Sequence, residues 1–124
     1  MKRILYILLI FLLVSCSDKT EIAINKINTS QAQEIFSNKT GYIIVDVRTR
    51  QEYEDGHIPD AVNIPNEEIS DERPKELRDL NQEIYIYCRS GNRSNQAANK
   101  LVKMGYTNVY DFGGIIDWKG QIVR

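Results

Sequence analysis

The chain has 124 residues, 42% of them hydrophobic and 27% charged, with a formal net charge of −1. That length suits one domain rather than two, and the near-neutral balance gives no electrostatic footprint for nucleic acid. Only two cysteines, Cys16 and Cys88, are present, which excludes a disulfide framework. One histidine, His57, beside one thiol in the domain offers no convincing set of metal ligands, and no cofactor is expected.

The first residues read as a targeting segment. Lys2 and Arg3 precede an unbroken apolar run of eleven residues, Ile4 to Val14. Such a run fits the core of a signal peptide and is too short to span a bilayer. It ends in Leu13-Val14-Ser15-Cys16, which resembles a bacterial lipobox. The resemblance implies a signal peptide over 1–15 and a lipidated Cys16 as the new N-terminus. Several acyl chains would then anchor the protein on the extracytoplasmic side of a membrane, periplasmic or cell-surface. The alternative is a plain secretory signal with Cys16 near the cleavage point. Residues 16–25 read as the lipidated cysteine and its tether, and 26–124 as the domain.

In chain order, Ile22 to Ile27 has the composition of a short first strand. The spacing Ser30-Gln31-Ala32-Gln33 predicts a capping box and a helix to about Ser37. Asn38 to Gly41 stops it. Tyr42 to Val47 is a near-continuous apolar run, as expected of a strand buried on both faces. Thr49 to Asp55 has the composition of a short helix or helical turn, with Tyr53 inward. Gly56 to Asp60 is a turn containing His57, and Ala61 to Pro65 a short strand. Asn66 to Leu80 is charged with a thin apolar stripe, Ile69, Leu77 and Leu80. It predicts a loop and then a helix from Ser70 or Asp71, with Pro74 in its first turn.

Ile84-Tyr85-Ile86-Tyr87-Cys88 is a second buried strand. Arg89-Ser90-Gly91-Asn92-Arg93-Ser94 follows, then a helical pattern to Met104 stopped by Gly105. Tyr106 to Tyr110 predicts the last strand, Asp111 to Gly114 a loop, and Ile115 to Lys119 a short helix with Trp118 inward. Strands alternating with helices predict an open, mostly parallel α/β sheet.

Strand, tight loop and helix N-terminus in that order form an anion cradle. A cysteine at its mouth is favoured as a thiolate by the helix end and by nearby guanidinium groups. Cys88 is therefore the candidate nucleophile; the competing reading is a buried structural cysteine. Arg93, and secondly Arg89, are candidates to bind a substrate anion in bidentate fashion; otherwise each makes a surface salt bridge. Gly91 would supply a backbone conformation, or a close approach, that a side chain would block. Ser90, Asn92 and Ser94 would donate to the sulfur or cap the next helix. Asp46 would orient a loop, and Arg48 would pair with Glu52.

Three stretches resemble the rhodanese family of sulfurtransferases over roughly Ile27 to Gly120. They are Asp46-Val47-Arg48 with Glu52-Tyr53 and Gly56 to Pro65; Cys88 to Ser94; and Gly113-Gly114-Ile115-Ile116-Asp117-Trp118. The resemblance implies a five-stranded parallel sheet with helices on both faces. It implies Cys88 as a persulfide carrier, a substrate loop of Arg89, Ser90, Gly91, Asn92, Arg93 and Ser94, and supporting roles for Asp46 and Arg48. Partners would be a small sulfane-sulfur donor such as thiosulfate and a thiol or cyanide acceptor. Four residues separate Cys88 from Arg93, which resembles the sulfurtransferase loop; related phosphatases have a longer one. The other class of function is a rhodanese-like module that binds a partner or senses persulfides without turnover.

Overall fold

A computed structural model describes residues 23–124. The leader and the lipidation expected at Cys16 lie outside the described residues. Five strands form one sheet in the order β1-β5-β4-β2-β3, every pair parallel. They are β1 (Asn25–Lys26), β2 (Tyr42–Asp46), β3 (Val62–Asn63), β4 (Glu83–Cys88) and β5 (Asn108–Gly114). Three helices accompany them: α1 (Thr29–Asn38), α2 (Arg50–Asp55) and α3 (Asn92–Lys103).

β4 is central, and its alternation divides the core. Ile84, Ile86 and Cys88 face Ala97, Ala98 and Leu101 of α3, with Val45 and Val47 beside them. Tyr85 and Tyr87 face the other way, onto Ala32, Ile35 and Phe36 of α1 and onto Ile58, Tyr53 and Phe112. A strand buried on both faces needs apolar bulk at every position, which explains the unbroken run in the sequence. On the α1 face that bulk is aromatic: Phe36 meets Tyr85 edge-on at 5.1 Å and stacks with Tyr42 at 4.9 Å.

β2 and β4 are neighbours, yet the elements that follow them pack on opposite faces: Tyr53 of α2 on the α1 side, and Ala97 and Ala98 of α3 on the other. Side by side, the carboxyl ends of two such strands leave a crevice. Asp46 ends β2 there and Cys88 ends β4.

Three local expectations are corrected. The capping box of α1 is built on Asn28, not Ser30. Asn28 Oδ1 accepts from the Gln31 amide at 2.8 Å, and Gln31 Oε1 accepts from the Asn28 amide at 2.9 Å. Pairing fixes the start, because Ile27 still donates to Asp111 O at 3.1 Å and the chain turns immediately after.

No helix forms between Ser70 and Leu80; a short 3-10 turn (Asn66–Glu68) is followed by bends. Ile69 and Leu77 are buried, but too sparse to make a helical stripe. Neighbours bond the carbonyls of this segment instead: Lys100 Nζ donates to Asn66 O at 2.8 Å, the Thr107 amide to Leu80 O at 2.9 Å, and Tyr106 Oη to Leu77 O. Finally, Asp111 to Gly114 is not a loop. β5 continues to Gly114 through a bulge that pairs Ile86 with Asp111 but Cys88 with Gly114. Gly113, at φ +92°, makes the extra residue possible.

Asn28→Ala removes the cap at the start of α1. It should lower stability by about 1 kcal/mol, measured by denaturant unfolding, whereas Ser30→Ala should change it by much less.

Candidate active site

β4 carries Cys88 to the crevice and points its side chain toward α3. The chain then reverses through Arg89 and Ser90 into Gly91, the N-cap of α3. Gly91 sits at φ +105°, a left-handed region that costs other residues about 1–2 kcal/mol. In that conformation its amide donates to Cys88 Sγ at 3.0 Å. The sulfur thus receives a backbone N–H at the N-terminus of a twelve-residue helix, where the dipole also favours negative charge. Only 1% of Cys88 is exposed. A reacting group must therefore reach the sulfur end-on.

The fully buried Ser94 lies on the first turn of α3 with Oγ 3.6 Å from Cys88 Sγ. The same oxygen donates to Asp111 Oδ1 at 2.8 Å. A hydroxyl has one proton, and a carboxylate is its strongest acceptor here. With that proton on the Asp111 side, a lone pair of Ser94 receives the thiol hydrogen. With the thiol ionised, the hydroxyl can turn and donate to sulfur. Asp111 is itself buried and also accepts from the Gly113 amide at 3.0 Å.

Capping of α3 by Ser90, Asn92 or Ser94 does not occur: Gly91 is the cap, with no side-chain hydrogen bond. Ser90 and Asn92 are exposed. Arg89 is exposed too, and its carbonyl accepts from the Ile116 amide at 3.3 Å.

Arg93 is engaged. Its two terminal nitrogens donate to the two oxygens of Glu52 at 2.6 and 3.0 Å. Glu52 Oε1 also accepts from the amide and hydroxyl of Thr49, the N-cap of α2, in a reciprocal capping box. The hydrogen bonds from Arg93 hold the Glu52 carboxyl down at about 2. A lowered folded-state value means that the pair's contribution is complete above the ordinary carboxylate range. It is lost progressively as pH falls from the ordinary carboxylate range and is gone once pH passes below about 2.

The expected Arg48–Glu52 pair is corrected accordingly. Arg48 turns back on Asp46, with Nε 3.1 Å from both carboxylate oxygens and a terminal nitrogen 2.7 Å from Oδ2. It also donates to Gly56 O at 2.6 Å. Asp46 is fully buried and Arg48 6% exposed. Tyr87 Oη adds a hydrogen bond to Asp46 at 2.7 Å and accepts from the Ile58 amide at 3.1 Å. Burial, then the Asp46 charge, pushes the Tyr87 phenol well above its ordinary value. The network ties the end of β2 to β4 and to the turn at His57, whose ring stacks on Tyr53 at 3.7 Å.

Sequence reasoning assigned no role at the site to Asp111 or Gly114 and misassigned Glu52. The pairing of Glu52 with Arg93 spans 41 residues, and no local spacing announces it. Among the described residues, no group of three or more His, Cys, Asp or Glu side chains could hold a metal ion.

Gly114 holds the loop against the end of β5. A Cβ there would lie 2.0 Å from Arg89 O and 2.7 Å from Ser90 Cα, both backbone atoms. Gly114→Ala should therefore cost about 1–3 kcal/mol in denaturant unfolding and change the alkylation rate of Cys88, because the loop must move.

The family model for the rhodanese-like domain matches residues 28–121. The putative sulfur carrier protein YrkF of Bacillus subtilis (strain 168) is 46% identical over 79 residues, covering 63% of this chain and 42% of that protein. The thiosulfate sulfurtransferase PspE of Escherichia coli (strain K12) is 37% identical over 73 residues, 59% of this chain and 70% of that one. A solved structure described as rhodanese with anions from E. coli superposes with a TM-score of 0.62 at 34% identity. It covers 67% of this chain and 98% of that one. The chain spans only 24% and 42% of the length of two of the curated relatives it matches. With the Cys88 loop, the parallel sheet and the family match in agreement, the chain belongs to the rhodanese-like domain family.

Proposed function

We propose that this protein is a sulfurtransferase that carries a sulfane sulfur on Cys88. The observation that supports it most directly is the Gly91 amide aimed at Cys88 Sγ from 3.0 Å. A hydrogen bond from a backbone N–H stabilises both a thiolate and the persulfide that replaces it. The thiolate attacks the outer sulfur of a donor such as thiosulfate. A bond forms between Sγ and that sulfur, the bond to the sulfonyl sulfur breaks, and its electron pair leaves with sulfite. A thiol or cyanide acceptor then takes the outer sulfur and restores the Cys88 thiolate. Two half-reactions joined by a covalent intermediate give ping-pong kinetics.

Ser94 donates to the sulfur when it is charged, and Arg89 offers a guanidinium at the open side of the loop. Asp46 and Arg48 act from behind, by fixing the end of β2 beside the loop. The lipobox-like stretch at Cys16 supports a reaction outside the cytoplasm, on a lipid anchor. Cys16 is then unable to serve as a resolving thiol, so the acceptor comes from outside the chain.

The second reading, a module that binds or senses without turnover, draws on the 1% exposure of Cys88. Intact-mass analysis separates the two. Incubation with thiosulfate or another sulfane donor should add one sulfur atom to the protein, cyanide should remove it, and Cys88→Ser should take up none. Absence of any adduct with every donor would sink the sulfurtransferase reading.

A further inference from the structure

Three arginines surround the crevice: Arg48, Arg89 and Arg93. Two of them already face a carboxylate. Arg48 is buried against Asp46. Arg93 gives both terminal nitrogens to Glu52. Among the described residues only Arg89 of the three has no ion pair, and it is exposed. The reacting thiolate adds a further negative charge. A donor with two negative charges thus enters a site whose guanidinium charge is largely neutralised.

Glu52 does more than shield Arg93. Its Oε1 accepts from the Thr49 amide at 3.3 Å and from Thr49 Oγ1 at 3.2 Å, as the third residue of a capping box. If a donor's oxyanion takes over Arg93, Glu52 stays where it is. It is then an unpaired charge beside an incoming dianion. The penalty that the Glu52 carboxylate adds to exchange of partners on Arg93 is therefore larger for a doubly charged donor than for a singly charged one.

We infer that Glu52 is a specificity-determining residue: by occupying Arg93 it favours sulfane donors with at most one negative charge over dianionic ones such as thiosulfate. This rests on the sulfurtransferase reading and adds to it a preferred donor class, thiosulfonates and similarly charged sulfane carriers. The chemistry is the same for both donors. Cys88 Sγ bonds to the outer sulfur, and the bond to the sulfonyl sulfur breaks. Its electron pair leaves with sulfite in one case and with a sulfinate in the other.

Glu52→Gln tests the assignment, because glutamine at the third position preserves a capping box while the negative charge is lost. Steady-state rates are measured with thiosulfate, a dianion, and methanethiosulfonate, a monoanion. Glu52→Gln should raise the ratio of kcat/KM for thiosulfate to that for methanethiosulfonate by about three- to tenfold, mostly through a lower KM for thiosulfate. Glu52→Ala should move the ratio the same way, and Arg93→Ala in the Glu52→Gln background should abolish the gain. Glu54→Gln, one charge removed from an exposed position on the same helix, should leave the ratio unchanged. An unchanged ratio in both folded Glu52 variants overturns the inference, as does an equal rise in Glu54→Gln. If no sulfane donor, these two included, places sulfur on Cys88 in the unaltered protein, the sulfurtransferase reading itself falls, and the role of Glu52 with it.

Discussion

One amide hydrogen, on Gly91, points at Cys88 Sγ from 3.0 Å, and several backbone conditions must hold together for it to do so. β4 must end at Cys88 on the face that looks toward α3. Gly91 must take a positive φ so that the chain reverses within three residues. Gly114 must lack a side chain, because Arg89 and Ser90 occupy the space where its Cβ would lie. The bulge in β5 brings Gly114 level with Cys88 in the first place. The sulfur's environment is therefore a consequence of sheet register and of glycine placement. Of the polar side chains of the loop, Ser90 and Asn92 are exposed, whereas Ser94 Oγ donates to Asp111 Oδ1 and lies 3.0 Å from Gly91 O.

Charge is handled in a second layer. The crevice collects three guanidinium groups, but protein carboxylates have claimed two of them. Asp46 and Arg48 form a desolvated pair that would be costly to break, since one partner alone would leave an uncompensated buried charge. Tyr87 and Gly56 complete its hydrogen bonding, so the pair fixes geometry at the end of β2 rather than offering charge to a ligand. Glu52 and Arg93 form a half-exposed pair instead, with side-chain exposures of 31% and 30%. It is accessible enough to exchange partners and fixed enough, through Thr49, to influence which partners are accepted. Ser94 and Asp111 make a third, uncharged-to-charged link beneath the sulfur. Deletion of any one of these groups would be felt through its neighbours.

Much of this protein could be read from its residues in line. The double-faced strands Tyr42–Asp46 and Glu83–Cys88 announce themselves because burial on both sides demands continuous apolar bulk. The placement of Cys88 after such a strand and before a helical pattern points to the anion cradle, since it depends on local chain order alone. The short helix at Arg50–Asp55 is equally local. What tertiary structure decided was every relation across distance. Competition from neighbouring carbonyl partners suppressed the helix expected near Ser70. Strand pairing, not hydroxyl chemistry, moved the start of α1 to Asn28. A bulge turned an apparent loop at Asp111 to Gly114 into the end of β5. Arg48 and Glu52 look like natural partners at four residues' spacing, yet each found a better match: Asp46 within the crevice for one, and Arg93 from a distant helix for the other. The sequence by itself determined which atoms could react, because reactivity follows from residue type and local backbone. Only the folded chain determined which charges remain free to meet a substrate, because ion pairing is settled by which carboxylate the sheet brings within reach.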